Sequence, residues 1–552
     1  MTTPRDLADR FHARWLEQHP LAATSYGIPG YDHLMPDTSA AGEAEWRAEV
    51  EQFASEADRL DAPDLEPADE ITLHCMREAA RQEVAVIDSA GVEYTVTAMP
   101  FADPASFMAV AARTVLVDAD AAHAYLERLA LSGDWIDQVS ERLRAGAAGG
   151  RLPIAPLVTE AVGWGRQVLA AQVPEALLSP TAPAGWDGAG TWEAERRRLA
   201  AEVTRPALAR WVDTVEELLP RSRPSDRAGL AHLPGGQADY ARAILTHTTL
   251  PVTAEQLHQT GLDQIATLER AAVEIGSGMG LDDLEQVRRA LRDSAGRISA
   301  EDAIREALVA VRRAEAKAAE FFPAPLPPPC DVTPMPPIVA ASGVAPHYTP
   351  PRLDGGRPGT FWFNTERPTA GTGWDIEVVA FHEAVPGHHL QLSRLQKLDH
   401  LPALQRQRSL TVFSEGWGLY TEQLADEVGL YTDDRARLGA ISASLMRAAR
   451  LVVDTGLHHY GWSREQARAF FIEHVPMPAE FLAAEIDRYL VMPGQALAYM
   501  TGKLEILALR DAAMARMGDR FTLSGFHAAV LDHGSLPMPV LRRSIERWST
   551  AA

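Results

Sequence analysis

The chain has 552 residues, of which 46% are hydrophobic and 23% are charged, an ordinary composition for a globular protein with a sizeable core. Acidic residues outnumber basic ones by 75 to 52, and the net charge of −23 repels phosphate backbones and argues against nucleic-acid binding. The N-terminal sequence lacks an apolar signal core, and no later run reaches about 18 apolar residues. The composition therefore predicts a protein of the cytoplasm that binds neither nucleic acid nor membranes.

Helical patterns rich in Ala, Glu, Leu and Arg dominate residues 1–322, which we predict to form an N-terminal helical region. Near the start, Leu7, Phe11 and Trp15 repeat at intervals of four residues, as in an amphipathic helix. A capping-box sequence at Thr253 indicates the start of another helix. The remaining segments of this type lie at about 41–61, 66–89, 121–146, 192–219, 254–275, 281–294 and 299–320.

A stretch rich in Pro and Gly, residues 323–358, interrupts the helical pattern. About half of its first 15 residues are proline, which excludes a helix and favours an extended connector at the surface. A turn-like sequence follows at 354–359, and Thr360–Asn364 is short, aromatic and bounded by turn residues, as is typical of a strand. Residues 359–552 are otherwise helical. We therefore expect a mostly α-helical fold with a small β element, in which both helical regions form one continuous unit.

The most informative stretch is Phe381–Gln391, which places three histidines and a glutamate within eight positions. Helical metal sites have two histidines at i and i+4, so that both imidazoles share one face. Here His388 follows His382 by six residues, a rotation of about 600° on an unbroken helix, which separates the rings. Pro386 clashes with the preceding turn, and Gly387 gives the backbone freedom to loop out. We therefore predict that the helix bulges or restarts at Pro386 and brings His388 next to His382.

The sequence His-Glu-Ala-Val-Pro-Gly-His-His-Leu-Gln, which begins at His382, resembles the signature of the bacterial DUF885 family, which is similar to the gluzincin zinc metallopeptidases. Further segments that match this family lie, in the expected order, at Phe413–Glu422, Asp454–His458, Gly461–Trp462 and Met492–Lys503. The resemblance implies a helical metallopeptidase-like fold with a deep cleft between the two regions. It also implies that a strand beside the metal helix, here 360–364 with Asn364, binds the substrate backbone. Burial of this strand for packing alone is the other interpretation.

A hydrolytic zinc site normally has three protein ligands and one position for water. We predict His382 and His388 as two ligands and Glu415 as the third, because glycines flanking Glu415 allow close backbone approach. Glu422 is predicted to hold a ligand histidine through its free ring N–H. His389 remains an alternative ligand, or a contact to substrate or ligand. Two histidines and a carboxylate also suit iron or manganese, so another divalent metal can replace Zn²⁺.

The residue after the first ligand, Glu383, is the predicted general base, as it is in zinc peptidases. It would remove a proton from water activated by the metal. The resulting tetrahedral intermediate needs a hydrogen-bond donor for its oxyanion. Tyr499 is the first choice for this donor, followed by His458, Tyr489 and Tyr420.

Two positive side chains, Arg488 and Lys503, flank the segment that contains Tyr499. Either would suit the C-terminal carboxylate of a peptide, and arginine is the better bidentate partner. A surface ion pair with a neighbouring acid is the other interpretation. Gln391 and Asp454 are predicted to orient ligands or helices.

Taken together, the motifs predict a zinc-dependent peptidase that acts on short peptides, with Glu383 as its base. Two alternatives stay open. The same metal site would also suit the hydrolysis of a non-peptide amide or ester, and a family member without catalysis would use the helical scaffold to bind a ligand or partner.

Overall fold

The computed structural model describes residues 3–61, 65–294, 298–335, 345–352, 358–364 and 373–551. Over these residues the chain is mostly α-helical with one small sheet, which confirms the predicted fold class. Within the same ranges, no helix combines the length and apolar character that a bilayer span requires.

The helices before the sheet are α1 (Pro4–Gln18), α2 (Pro20–Tyr26), α3 (Ala40–Leu60), α4 (Pro67–Ser89), α5 (Ala105–Ala111), α6 (Ala119–Ala148), α7 (Ala155–Ala170), α8 (Ala189–Leu199), α9 (Arg205–Leu218), α10 (Gly236–Thr248), α11 (Ala254–Ser277), α12 (Leu284–Ser294) and α13 (Ala300–Phe321). Those after it are α14 (Ile376–Glu383), α15 (His388–Leu395), α16 (Ala403–Gln407), α17 (Thr411–Glu427), α18 (Asp434–His458), α19 (Arg464–His474), α20 (Ala479–Val491), α21 (Ala498–Met517), α22 (Leu523–Leu531) and α23 (Met538–Ala551).

The helices predicted from charge and apolar periodicity are present. The capping box at the start of α11 is confirmed, because Thr253 and Gln256 exchange side-chain and backbone hydrogen bonds of 2.9 and 3.2 Å. Leu7 and Phe11 on α1 are fully buried, as the pattern requires. The sequence patterns missed α7 and α10, which begin after the loops that contain Pro153 and Pro234.

The sheet has three strands, β1 (Asp331–Pro334), β2 (His347–Thr349) and β3 (Thr360–Phe363), in the order β1-β3-β2. β3 pairs in parallel with β1 and antiparallel with β2. The predicted strand is therefore the central one, and its neighbours occupy both of its hydrogen-bonding edges. Because β1 and β2 occupy both edges of β3 and Phe361 and Phe363 are at most 1% exposed, the packing interpretation is favoured over substrate-backbone binding.

The stretch at 323–358 is more than a surface connector, since it supplies two of the three strands, β1 and β2. The carbonyl of Pro328 also accepts a hydrogen bond from His389 on α15. Residues 336–344 and 353–357, with most of the predicted turn at 354–359, lie outside the described residues. The predicted connector is thus corrected to a segment that builds the sheet and contacts the helix of His388.

The N-terminal and C-terminal helices share their hydrophobic cores. One core combines buried alanines of α13 with Phe381 of α14 and Trp417 of α17. A second core combines Leu257 and Ile265 of α11 with apolar residues of α18. The elements that carry the histidine motif are therefore anchored to both regions, while the boundary near residue 322 and the deep cleft stay predictions.

Candidate metal centre

The helix that carries the histidine motif breaks where the sequence predicts. α14 ends at Glu383, and α15 begins at His388. A side chain at Gly387 could not fit, because a Cβ atom there would lie 1.8 Å from the carbonyl oxygen of His382. The break brings the imidazoles of His382 and His388 to a centroid distance of 4.7 Å, with ring planes 88° apart. The predicted restart of the helix is confirmed.

The two histidines face the same carboxylate oxygen. Glu415 Oε2 lies 3.4 Å from His382 Nε2 and 3.7 Å from His388 Nε2. Ligand atoms about 2.1 Å from a tetrahedral zinc ion are roughly 3.4 Å from one another, so this spacing fits one bound ion. In the described part of the chain, this is the one group of three or more His, Cys, Asp or Glu side chains with such geometry.

The glycines of the Ser-Glu-Gly-Trp-Gly sequence let α17 approach its neighbours closely. A Cβ atom at Gly418 would lie 2.5 Å from the His382 ring. One at Gly416 would lie 2.5 Å from the Cα of Gly502 on α21. The close backbone approach predicted around Glu415 is therefore confirmed.

Each histidine of the cluster is oriented through its second ring nitrogen. His382 Nδ1–H donates to Glu422 Oε1 over 2.9 Å, which leaves Nε2 directed at Glu415. Around His388, Ser414 Oγ lies 3.5 Å from Nδ1 and 3.4 Å from Gln391 Oε1. Glu422 and Gln391 thus lie where their predicted orienting roles require.

The charges of the cluster favour a cation at its centre. Burial works against charge on His382, but Glu415 and Glu422 outweigh it and raise the pKa of His382 to about 10. Burial also works against charge on Glu415, yet His382 and His388 lower the pKa of Glu415 below its ordinary value. Carboxylates that hold an extra proton on a buried imidazole present the same attraction to a divalent ion.

Glu383 lies beside this cluster and is fixed by the sheet. Its Oε2 accepts a hydrogen bond of 2.7 Å from the backbone N–H of Tyr348 on β2. The side chain is buried, with 9% exposure. One carboxylate oxygen is therefore held by β2.

His389 is excluded as a metal ligand by its own hydrogen bonds. Nδ1 lies 3.0 Å from the hydroxyl of Tyr348, and Nε2–H donates to the carbonyl of Pro328 over 2.7 Å. Both ring nitrogens are occupied. His388 is therefore the second histidine of the cluster, and His389 connects α15 to β2 and to the proline-rich segment.

Tyr499, the first choice as oxyanion donor, lies near the cluster. Burial raises the pKa of Tyr499, and the carboxylate of Glu415 raises it further. The Arg450 guanidinium lies 4.3 Å from the centre of the Tyr499 ring. Gln495 hydrogen-bonds to the Tyr499 oxygen, so the phenol keeps its proton and can still donate it in a hydrogen bond.

The other predicted oxyanion donors are corrected, because their polar atoms are already bonded. His458 Nδ1 accepts from the Leu230 backbone N–H, and Nε2–H donates to the Tyr489 carbonyl, each over 3.1 Å. The Tyr489 hydroxyl donates to Glu485 over 2.7 Å, and that of Tyr420 bonds to a buried histidine. These side chains support the fold rather than face a substrate.

Of the two residues predicted to bind a substrate carboxylate, Arg488 already has hydrogen-bond partners in the chain. Arg488 bonds to Glu485 over 2.9 and 3.2 Å and to Gln495, which agrees with the ion-pair interpretation. Lys503 is buried, and burial lowers the pKa of its ammonium group. Asn364, which follows β3, is 1% exposed.

Asp454 orients the helix that carries Tyr499. It accepts hydrogen bonds from the Tyr240 hydroxyl over 2.6 Å and from the Gly494 backbone N–H over 3.1 Å. Gly494 begins the turn that leads into α21. The predicted orienting role of Asp454 is supported by these contacts.

The sequence patterns overlooked the two arginines of a polar stripe on α18. Arg447, Arg450, Asp454 and His458 are spaced by three, four and four residues, which places them along one face of a helix. Arg447 reaches to within 3.9 Å of Glu422. Charged side chains at helical spacing within an otherwise apolar segment were the available signal.

The fold and the site define a mostly helical protein with a buried His-His-Glu cluster that suits a divalent cation. Residues 20–545 match the DUF885 family, described as a bacterial protein of unknown function, and the chain belongs to that family. No curated protein matches the sequence.

Two solved structures resemble this one. The first is described as "the putative lipoprotein from Colwellia psychrerythraea"; it is 26% identical over 100% of both chains, with a TM-score of 0.89. The second is described as "a putative lipoprotein of unknown function from Shewanella oneidensis"; it is 16% identical over 98% of this chain and 99% of that chain, with a TM-score of 0.78. The second likeness concerns the fold alone.

Proposed function

We propose that the protein is a metal-dependent hydrolase that cleaves short peptides, with Glu383 as its general base. The observation that carries the proposal is the convergence of His382 Nε2, His388 Nε2 and Glu415 Oε2 on one point. The Glu383 carboxylate, on the residue next to His382, stands beside that point. The combination of three ligands and an adjacent base is what hydrolysis by an activated water requires.

The three ligand side chains would hold the ion. A divalent metal such as zinc in this position supplies Lewis acidity, which polarises a carbonyl group and lowers the pKa of water. Glu383 removes the proton of the attacking water at Oε1, since its Oε2 is bonded to Tyr348. The same carboxyl group then delivers the proton to the leaving amine.

Tyr499 complements this chemistry. Because its hydroxyl stays protonated, it donates a hydrogen bond to the carbonyl oxygen as negative charge develops there. Glu422 keeps the His382 ring fixed while this occurs, because it accepts the proton of Nδ1. In this proposal Glu383 is the base, Tyr499 donates the hydrogen bond to the oxyanion, and Glu422 orients a metal-binding histidine.

The resemblance of the histidine motif to gluzincin peptidases, itself a prediction from the sequence, favours peptides over other amides. Helical gluzincins enclose a cleft, and the same enclosure here would limit substrates to short, flexible chains. A cytoplasmic location stays a prediction. The lipoprotein descriptions of the two similar structures make attachment to a membrane the alternative, which cell fractionation would distinguish.

The test begins with elemental analysis of protein purified without chelator or affinity metal. We expect about one zinc ion per chain and hydrolysis of members of a short-peptide pool. Glu383→Gln should keep the metal and lose about 10²- to 10⁴-fold of the rate, the range for a general base. The matched control is Glu427→Gln on α17, whose carboxylate pairs with Arg510 and which should remain active.

Other outcomes would redirect the proposal. Cleavage of esters with no cleavage of peptides would favour the non-peptide hydrolase. Unchanged peptide hydrolysis in Glu383→Gln would remove the assigned base. If the protein binds no metal even after zinc is added, the remaining alternative is a non-catalytic scaffold that binds a ligand or partner.

A further inference from the structure

A second buried cluster of charges adjoins the metal centre. Arg450 and Arg488 both pair with Glu485, at 2.8 and 2.9 Å. Burial works against charge on Glu485, but the two guanidinium groups lower the pKa of Glu485 well below its ordinary value. The carboxylate therefore stays ionised, and two positive side chains share one negative charge. Among these three side chains the positive charge is in excess.

Arg450 has an unused donor in this cluster. Its Nε donates to Glu485 and to the Tyr489 hydroxyl, and its Nη2 donates to Glu485. Its Nη1 is buried and has no hydrogen-bond partner in the described part of the chain. The residue is only 5% exposed. A charged donor that is buried and unpaired is unfavourable, which indicates a partner that the chain itself does not supply.

This situation is uncommon in the molecule. Most buried arginine nitrogens without a partner are Nε atoms, and the terminal nitrogens of this kind belong to Arg408 and Arg450 among the described residues. Arg408 lines a separate cavity with Cys75 and Glu78. Arg488, the residue favoured by the sequence, has all three of its nitrogens engaged by Glu485 and Gln495.

The unused donor lies close to the proposed reaction centre. The Arg450 guanidinium covers the ring of Tyr499 at 4.3 Å, and the charge of Glu415 acts on the Tyr499 hydroxyl. One turn earlier on α18, Arg447 approaches the Glu422 carboxylate that holds His382. α18 therefore runs past the metal ligands and presents Arg450 on the side of the oxyanion donor.

We propose that Arg450 Nη1 binds a carboxylate of the substrate, so that this site selects anionic peptides over uncharged ones. A carboxylate matches both the excess positive charge and the free N–H donor. It is supplied either by the C-terminus of a peptide or by an acidic side chain. The inference rests on the proposed function and specifies its substrate class.

The test measures binding and not turnover. In Glu383→Gln protein purified with its metal, calorimetry would compare Ala-Ala-Ala, its C-terminal amide and the amide Ala-Ala-Glu-NH₂. We expect at least one carboxylate-bearing peptide to bind about tenfold or more tightly than the uncharged amide. Adding Arg450→Gln should abolish this preference while the zinc content is unchanged.

Two further variants test whether the preference depends on the guanidinium group of Arg450 itself. Arg450→Lys keeps a positive charge beside Glu485 but lacks the second terminal nitrogen, so it should fold and also lose the preference. Arg437→Gln is the matched control, because Arg437 lies on α18 and forms ion pairs with Asp426 and Asp434. This control should keep the wild-type preference.

Tight binding of Ala-Ala-Ala would assign the carboxylate to the C-terminus, and tight binding of Ala-Ala-Glu-NH₂ would assign it to a side chain. Equal binding of all three peptides by the Glu383→Gln protein with Arg450 intact, or a preference that survives both Arg450 substitutions, would overturn the inference. Peptide hydrolysis without any carboxylate preference would leave the proposed function intact. A carboxylate preference in a protein that hydrolyses no peptide would support the role of Arg450 and would contradict the proposed function.

Discussion

Two pairs of buried histidines in this protein have nearly opposite electrostatic surroundings. His382 and His388 direct ring nitrogens at the Glu415 carboxylate. His458 and His527 bond instead to backbone groups and to the Tyr420 hydroxyl.

The pKa values follow these partners. Burial works against a charged imidazole in each case, but the carboxylates of Glu415 and Glu422 raise the pKa of His382 to about 10. Without a facing carboxylate, burial lowers the pKa of His458 to about 3 and that of His527 to about 4. The comparison teaches that burial does not separate a ligand histidine from a structural one; the groups that face its two nitrogens do.

The largest expected effect is on metal content. His388→Ala removes one of the three ligands and should weaken zinc binding by more than the roughly 100-fold that loss of an outer partner costs. His389→Ala is the matched control, because both of its ring nitrogens bond elsewhere. Elemental analysis and competition with a chromophoric chelator measure both. Loss of zinc in His389→Ala with retention in His388→Ala would reverse the ligand assignment.

The next effect concerns stability and should leave zinc binding unchanged. His458→Asn disturbs the buried bonds to Leu230 and Tyr489, so the free energy of unfolding at pH 7.5 should fall by about 1–3 kcal/mol. Denaturant unfolding of the zinc-loaded proteins measures this change. His400→Asn, at an exposed position, should have no effect.

The same variant should alter the pH dependence of stability. Burial lowers the pKa of His458 to about 3 in the folded protein, whereas an unfolded histidine titrates near 6.5. The unfolded state therefore binds the extra proton between these values, and the stability from neutral His458 is complete above pH 6.5 and is lost as the pH falls. Between pH 7.5 and 5, the wild type should lose about 2 kcal/mol more than His458→Asn. Equal losses would show that His458 is charged when folded.

The smallest effect tests how His382 is held. Glu422→Gln keeps a hydrogen-bond acceptor for Nδ1–H but removes the negative charge, so zinc affinity should fall about tenfold, the low end for an outer partner. Glu427→Gln, on the same helix and paired with Arg510, should bind zinc like the wild type. The chelator competition compares the two variants. Unchanged affinity in Glu422→Gln would mean that its charge does not tune the ligand.

Much of the metal centre could be predicted because it depends on local backbone chemistry. Pro386 and Gly387 end one helix and allow another to start at His388, whatever surrounds them. The break therefore lets His382 and His388, six residues apart, lie close enough to face one ion. The position of Glu415 between a serine and close-packing glycines indicated the third member of the cluster, since a glycine indicates where another backbone must approach.

The sequence itself therefore determined the helical class, the helix break and the residues of the His-His-Glu cluster. Tertiary structure decided what each remaining polar side chain does, because the partners come from distant parts of the chain. His458 bonds to Leu230, 228 positions away, and the strand at 360–363 became central only when β1 and β2 paired with it. The unused donor of Arg450 follows from how α18 and α20 meet at Glu485, and no spacing along the chain encodes which nitrogen such packing leaves unpaired.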